Sequence, residues 1–354
     1  MKKKSGLITA VILLICVMTS AQNFREVQPV PFSETYLSMC NRFEGEMRDD
    51  PDLILQELEK KMPEVRSPFE RFQLYLWYYA PALDELGRHT DLLEMLDTAH
   101  GEGLGFLIMT GERSWPHWVP QMEKITGFSE FLRRNEALIS KQAQQSTAEY
   151  FVRLPEGYSE DQQYPLFIMI HGGVGYHQLS AQHWKGGSTH DQFITAYLQG
   201  ENVAGTFQRR FNDDNLDNIH AMIGDIKMKY PVDDSRIVIG GPSRGGYRTL
   251  LLGWDENVEV CGLLMAFPVV PEEITDENFS TLARKNLKVA LITGEHDGAI
   301  VRQKALCVNL DKMGVLNRLL IFPEKGHEYP DEFSRHLDTS LEFLLKKRGE
   351  DLIE

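Results

Sequence analysis

The sequence has 354 residues, enough for one large domain or two ordinary ones, with the apolar and charged content of a globular protein. Acidic residues outnumber basic ones, 52 to 37, and no lysine- and arginine-rich cluster interrupts the excess. That balance argues against a nucleic-acid partner.

Residues 1–21 form a different class from the rest. A basic start, "MKKK", precedes an apolar run, "LITAVILLICVM", and the small residues "TSA". This is the pattern of a secretory signal peptide, with cleavage expected after Ala21. An uncleaved N-terminal anchor is the rival. Losing Lys2, Lys3 and Lys4 with the leader takes the formal charge from -15 to -18. A secreted or periplasmic protein is expected. No other apolar stretch is long enough for an integral membrane span. Cys40, Cys261 and Cys307 remain, without metal-ligand spacing, and Cys261 and Cys307 in their apolar settings read as buried free thiols.

Residues 22–146 read as an all-helical N-terminal domain. Asp50 caps "DPDLILQELEKKM". Ser67, Pro68 and Glu70 open "SPFERFQLYLWYYAPALDELG" as a capping box, and Gly87 stops it. "TDLLEMLDTAHGEG" and "FSEFLRRNEALISKQAQQ" follow at the same spacing. The aromatic set Phe69, Phe72, Tyr75, Trp77, Tyr78 and Tyr79 is expected in the core between helices rather than along a ligand groove.

From residue 147 to 354 strands alternate with helices. "AEYFVRLP", "YPLFIMIHGG", "NVAGTF", "SRIVIGG", "VEVCGLLMAF", "LKVALITGEHD" and "RLLIFPEKGH" read as strands, most of them near-continuous apolar runs. Such runs suit strands buried on both faces, so a mostly parallel α/β sheet flanked by helices is expected, with ligands at the carboxyl ends of its strands.

"GGPSRGG" places Ser243 among glycines between a strand and an apolar helix. A turn of that kind lifts one hydroxyl above a sheet edge. A serine hydroxyl needs a base, and the base needs a carboxylate to orient it. Asp297 and His327 each follow a strand directly, as other catalytic groups of the site should. Glu295 competes for the acid role in the same "GEHDG", while His296 would reach the base role without a strand end of its own.

The order Ser243, Asp297, His327, together with "GEHDGAIV", "EKGHEYP" and "PLFIMIHGG", resembles the α/β-hydrolase superfamily. Carboxylesterase/phospholipase-like and dienelactone-hydrolase-like enzymes are the nearest likeness, and prolyl oligopeptidase-type catalytic domains come next. The resemblance covers residues 147–354. It implies an α/β-hydrolase fold, Ser243 as nucleophile, His327 as base and Asp297 as its orienter. It also implies an oxyanion hole from the backbone of Arg244 and of Gly173 or Val174. The sequence has neither a G-x-x-x-x-G-K-[ST] nor a G-x-G-x-x-G after a strand, so no cofactor is expected. The Arg244 side chain is expected to pair with an acid of the helical domain, and His171 to hold the loop.

His177, His183 and His190 lack the spacing of a metal site and read as loop and helix residues. Tyr176 and Trp184 are candidates for substrate contact. The substrate class is a small-molecule ester or a peptide, with ester hydrolysis leading. A serine peptidase and a non-catalytic binding protein are the alternatives. Oligomeric state is not legible.

Overall fold

Strands with branched and aromatic residues on both faces build the centre of the molecule. A computed structural model describes residues 24–213 and 215–346. The expected leader, residues 1–21, lies outside the described residues. No described helix is long and apolar enough to cross a membrane.

The sheet has eight strands in the order β1-β2-β4-β3-β7-β8-β9-β10. They are β1 (Phe24–Glu26), β2 (Ala148–Arg153), β3 (Tyr164–Ile170), β4 (Ile194–Gln199), β7 (Val232–Pro242), β8 (Gly262–Ala266), β9 (Lys288–Gly294) and β10 (Asn317–Phe322). Every neighbouring pair is parallel except β2 with β4. The register pairs Ile239 with Leu263 and Val238 with Gly262, so alternate residues face opposite layers.

One face, carrying Ile168, Ile239, Leu263 and Leu291, packs on four helices. These are α10 (Asp217–Lys229), α11 (Arg244–Trp254), α12 (Asp276–Arg284) and α13 (Ile300–Lys312). The other, with Phe167, Val238, Leu264 and Ile292, packs on α8 (His177–His183) and α14 (Phe333–Leu345). Two-sided burial is why these strands read as unbroken apolar runs, each fully buried Leu or Ile contributing roughly 1.5–3 kcal/mol.

Three strands differ from expectation. β1 lies ahead of the helical region yet adds an edge to the sheet, so residues 22–146 are not wholly helical. Three residues carry too little periodicity to announce a strand. β4, by contrast, had a signal in "FITAYLQ", whose Phe193, Ile194 and Tyr197 suit a buried strand. "NVAGTF" joins no central strand: β5 (Asn202–Gly205) pairs with β6 (Gln208–Arg210) in a separate hairpin.

The helical unit comprises α1 (Glu34–Glu44), α2 (Pro51–Lys61), α3 (Pro68–Leu74), a π-turn at Tyr75–Tyr79, α4 (Ala80–Glu85), α5 (His89–Gly101), α6 (Val119–Met122) and α7 (Phe128–Ala143). It has its own core around Phe43, Leu58, Phe72, Leu96 and Phe131. Asp50 accepts from Leu53 N at 3.0 Å as its cap. The Ser67–Glu70 pair is only half a capping box. Ser67 Oγ accepts from Glu70 N at 3.4 Å, but the Glu70 carboxylate accepts from Ser33 N and Ser33 Oγ, tying α3 to the start of α1.

The hairpin docks on the helical unit through three short bonds. Thr206 N donates to Gly105 O at 2.8 Å, Gly105 N to Thr206 Oγ1 at 2.7 Å and Leu107 N to Gln208 Oε1 at 2.8 Å. Asn135 Nδ2 holds the same stretch by donating to Phe106 O at 2.8 Å. The three cysteines among the described residues are free thiols; Cys307 is buried, whereas Cys261 is only half-buried.

Candidate active site

Strand β7 ends in Gly240, Gly241 and Pro242, and α11 begins at Arg244. Ser243 joins them with φ 51° and ψ −118°, a conformation that L residues other than glycine adopt at a cost of about 1–3 kcal/mol. Three backbone bonds pin it. Ser243 N donates to Ala266 O at 2.9 Å, and Ser243 O accepts from Val269 N at 3.0 Å and Tyr247 N at 3.2 Å. The turn closes tightly because Gly241 and Gly245 both abut the Ile170 carbonyl at the end of β3, where any Cβ would collide.

Three strand ends deliver three side chains. His327 Nε2 lies 2.8 Å from Ser243 Oγ, and His327 Nδ1 lies 2.8 Å from Asp297 Oδ2. The Asp297 side chain is 0 % exposed, and its second oxygen accepts from Ala299 N at 2.7 Å. With Nδ1–H donated to the carboxylate, Nε2 is left as an acceptor for the serine proton. Glu295 and His296 are exposed and join Glu324, not Ser243, in an outer cluster.

His327 packs edge-on against Phe267, at 4.9 Å between ring centres. Phe267 in turn meets Tyr329, which stacks on His183 at 4.6 Å. Trp184 corrects an expectation. It is 0 % exposed, packs between Phe167 and Phe333 and donates Nε1–H to Tyr329 OH at 2.9 Å. It therefore offers no surface to a substrate and instead supports the aromatic wall behind His327.

The loop after β3 runs beside the serine. Gly172 approaches the Ser243 Cβ and Gly173 the Arg244 Cβ, each closely enough that an added methyl group would be in contact at 3.8 Å. The N–H groups of Gly173 and Val174 have no hydrogen-bond partner among the described residues. Arg244, as the first residue of its helix, has no intrahelical carbonyl for its N–H. These are the donors an oxyanion would need.

His171 holds this loop. It is 0 % exposed, its Nδ1 lies 2.9 Å from Gly172 O, and Gly200 N donates to its Nε2 at 3.2 Å, which sets the Nδ1–H tautomer. Burial, with Arg248 adding repulsion, pushes its pKa down to about 3, so the ring stays neutral.

Arg244 and Arg248 share one carboxylate. Asp213 Oδ2 receives Arg244 at 2.7 Å, and Asp213 Oδ1 lies 2.7 Å from Arg248 Nε. The partner of Arg244 thus belongs to the loop after β6, not to the helical unit as expected. Arg248 is only 2 % exposed, and its Nη1 points at Gly172 O, 3.4 Å away. Neither Arg248 nor Asp213 belongs to a motif along the sequence. A lone arginine on the apolar face of "GGYRTLLLG" was the available signal, since an unpaired charge is not buried.

Tyr176 is half-buried, 4.5 Å from the Phe69 ring of the helical unit and 5.5 Å from Phe207 of the hairpin. His177 is buried without a hydrogen-bond partner for either ring nitrogen among the described residues. The side chain of His190 lies outside the described residues.

No family model matches the sequence, and no curated protein matches it. Among solved structures the chain is similar to an uncharacterized protein from Bacillus cereus, at 15% identity and TM-score 0.49, over 88% of this chain and 99% of that one. It is also similar to a ferulic acid esterase, at 14% identity and TM-score 0.43, over 56% of this chain and 92% of that one. A third likeness is to Porphyromonas gingivalis dipeptidyl peptidase 4, at 18% identity and TM-score 0.40, over 55% of this chain and 33% of that one. A strained serine raised between strand and helix, at the carboxyl edge of a mostly parallel sheet with one reversed strand, is how an α/β-hydrolase presents its nucleophile; that is the fold of this chain.

Proposed function

We propose that the protein is an exported serine hydrolase that cleaves carboxylic esters. One observation carries the reading: the unbroken relay from buried Asp297 through His327 to Ser243, with both contacts at 2.8 Å.

Ser243 Oγ attacks the ester carbonyl carbon while His327 Nε2 takes the hydroxyl proton. The carbonyl π electrons move to oxygen, and the N–H groups of Arg244 and of Gly173 or Val174 meet the resulting charge. Collapse breaks the bond to the alcohol oxygen, which leaves with the proton from His327. Water then repeats the sequence, giving its proton to His327, and the acid departs as Ser243 recovers its own. Asp297 keeps the imidazole oriented and stabilises its cation. Nothing in these steps calls for a cofactor.

The test is labelling by a fluorophosphonate probe of the wild type beside Ser243→Ala and His327→Ala. Labelling confined to the wild type, with turnover of short-chain esters and none of aminoacyl amides, supports the reading. Amide turnover alone moves the assignment to a peptidase. An unlabelled, folded wild type defeats it. Export rests on the leader pattern of residues 1–21, and N-terminal sequencing of the mature protein tests it by a start at Gln22.

A further inference from the structure

Val174 does more than follow Gly173. Together with Gly175 and Tyr176 it lines a cavity of about 360 Å³ that the helical unit closes from the other side. Phe72, Gln73 and Trp77 come from α3 and the π-turn, Trp115 from the loop before α6, and Phe207 from the hairpin. The antiparallel bonds between Gly175 and Arg209, both N···O distances 3.0 Å, fasten the oxyanion loop to that hairpin. One wall of the cavity is therefore continuous with the candidate oxyanion hole.

The lining is mostly aromatic, and two features mark it as a site rather than a packing gap. Trp77 is 53% exposed although it belongs to the run expected in the core, and it meets Trp115 edge-on at 6.4 Å. Gln73 is 4% exposed, yet its side-chain amide has no hydrogen-bond partner among the described residues. An amide that lines the cavity without a protein partner is free to hydrogen-bond a ligand group there. Apolar walls with one placed polar group are the usual make-up of a small-molecule pocket.

We propose that this cavity binds the larger group of the ester, an arylalkyl group with an oxygen substituent that hydrogen-bonds to Gln73. The inference rests on the hydrolase reading above. The volume is about twice the ~150 Å³ of a cavity that takes benzene, so it holds roughly ten to fourteen non-hydrogen atoms. The helical unit is then a specificity element, because the hydrolase part alone supplies only one side of the cavity.

The test compares kcat/KM for methylumbelliferyl acetate, 3-phenylpropanoate and 3-(4-hydroxyphenyl)propanoate, then for the acetates of 2-phenylethanol and 2-(4-hydroxyphenyl)ethanol. The two series separate an acyl from an alcohol subsite. The expected result in one series is a gain of about tenfold or more for the phenyl group. The hydroxyl should add about threefold to tenfold. In Gln73→Leu the ratio of hydroxylated to plain substrate should fall to about one, and in Trp115→Ala the phenyl gain should shrink. Labelling of Ser243 by the fluorophosphonate probe reports folding of each variant. Rates within twofold across both series, or a hydroxyl gain that survives Gln73→Leu in a labelled protein, overturns the inference while leaving the hydrolase reading intact. If the wild type takes no label, calorimetric titration of Ser243→Ala with 3-(4-hydroxyphenyl)propanoate reads the cavity without turnover. Binding that Gln73→Leu weakens then supports it, and no binding overturns it.

Discussion

Arg248 and Asp213 meet at 2.7 Å, and the same guanidinium points at the Gly172 carbonyl, in the loop after β3, from 3.4 Å. The pair links α11, which follows Ser243, to the loop proposed to bind an oxyanion. Arg248→Met should leave Asp213 with Arg244 alone and the Gly172 carbonyl without its cation. Removing one partner of a buried pair costs about 3–5 kcal/mol, and the remaining Arg244 contact puts the loss at the lower end. A fall in kcat larger than any change in KM, alongside a lowered Tm, is the expected outcome. Equal kcat in wild type and variant would show that the loop holds itself.

Asp297→Asn keeps the shape of the relay but supplies an amide where the imidazole needs an acceptor. The wrong tautomer of His327 is then favoured, and kcat should fall by about 10⁴. Steady-state kinetics with a short-chain ester measures this. A loss under tenfold would mean that Asp297 does not orient the base.

Ser243→Gly removes the proposed nucleophile and also the strain at φ 51°. Relief of about 1–3 kcal/mol is partly offset by the greater freedom of glycine in the unfolded chain, leaving a gain near ~1 kcal/mol. The variant should be inactive and should melt a few degrees higher. A lower Tm would show that the contact from Oγ to His327 outweighs the strain.

His171 and His177 predict the acid side of the stability profile. Burial first, then Arg248 for His171 and Arg209 for His177, pushes each pKa down to about 3. An unfolded histidine titrates near ~6.5. Between those values the unfolded chain binds more protons, so stability is complete above about pH 6.5 and declines as pH falls toward 3. In His177→Leu one of the two protons is removed from that difference. Its Tm should drop less than that of the wild type between pH 7 and pH 4.5, whatever its absolute Tm. Parallel curves would contradict the burial argument.

The chain order Ser243, Asp297, His327 and the glycines around the serine were legible because each is local. A tight turn demands small residues, and a group at a strand end follows an apolar run directly. The parallel sheet was legible for a similar reason, since burial on both faces leaves no polar alternation. Trp184, Arg248 and the Ser33–Glu70 bond were not legible. Whether a tryptophan faces solvent or Phe167, and which acid meets which arginine, depends on residues far apart along the chain.

What the sequence by itself determined is the fold class and the identity of the three residues at strand ends, because periodicity and turn chemistry act over a few positions. Only the tertiary structure decided that Ser243, His327 and Asp297 lie within hydrogen-bonding distance, that β1 crosses from ahead of the helical unit to the sheet edge, and that the aromatic run divides between a core and a cavity wall. Those outcomes depend on how the helical unit packs against the hairpin and the loop after β3, a contact between segments about a hundred residues apart, such as Gly105 with Thr206. No local pattern records it.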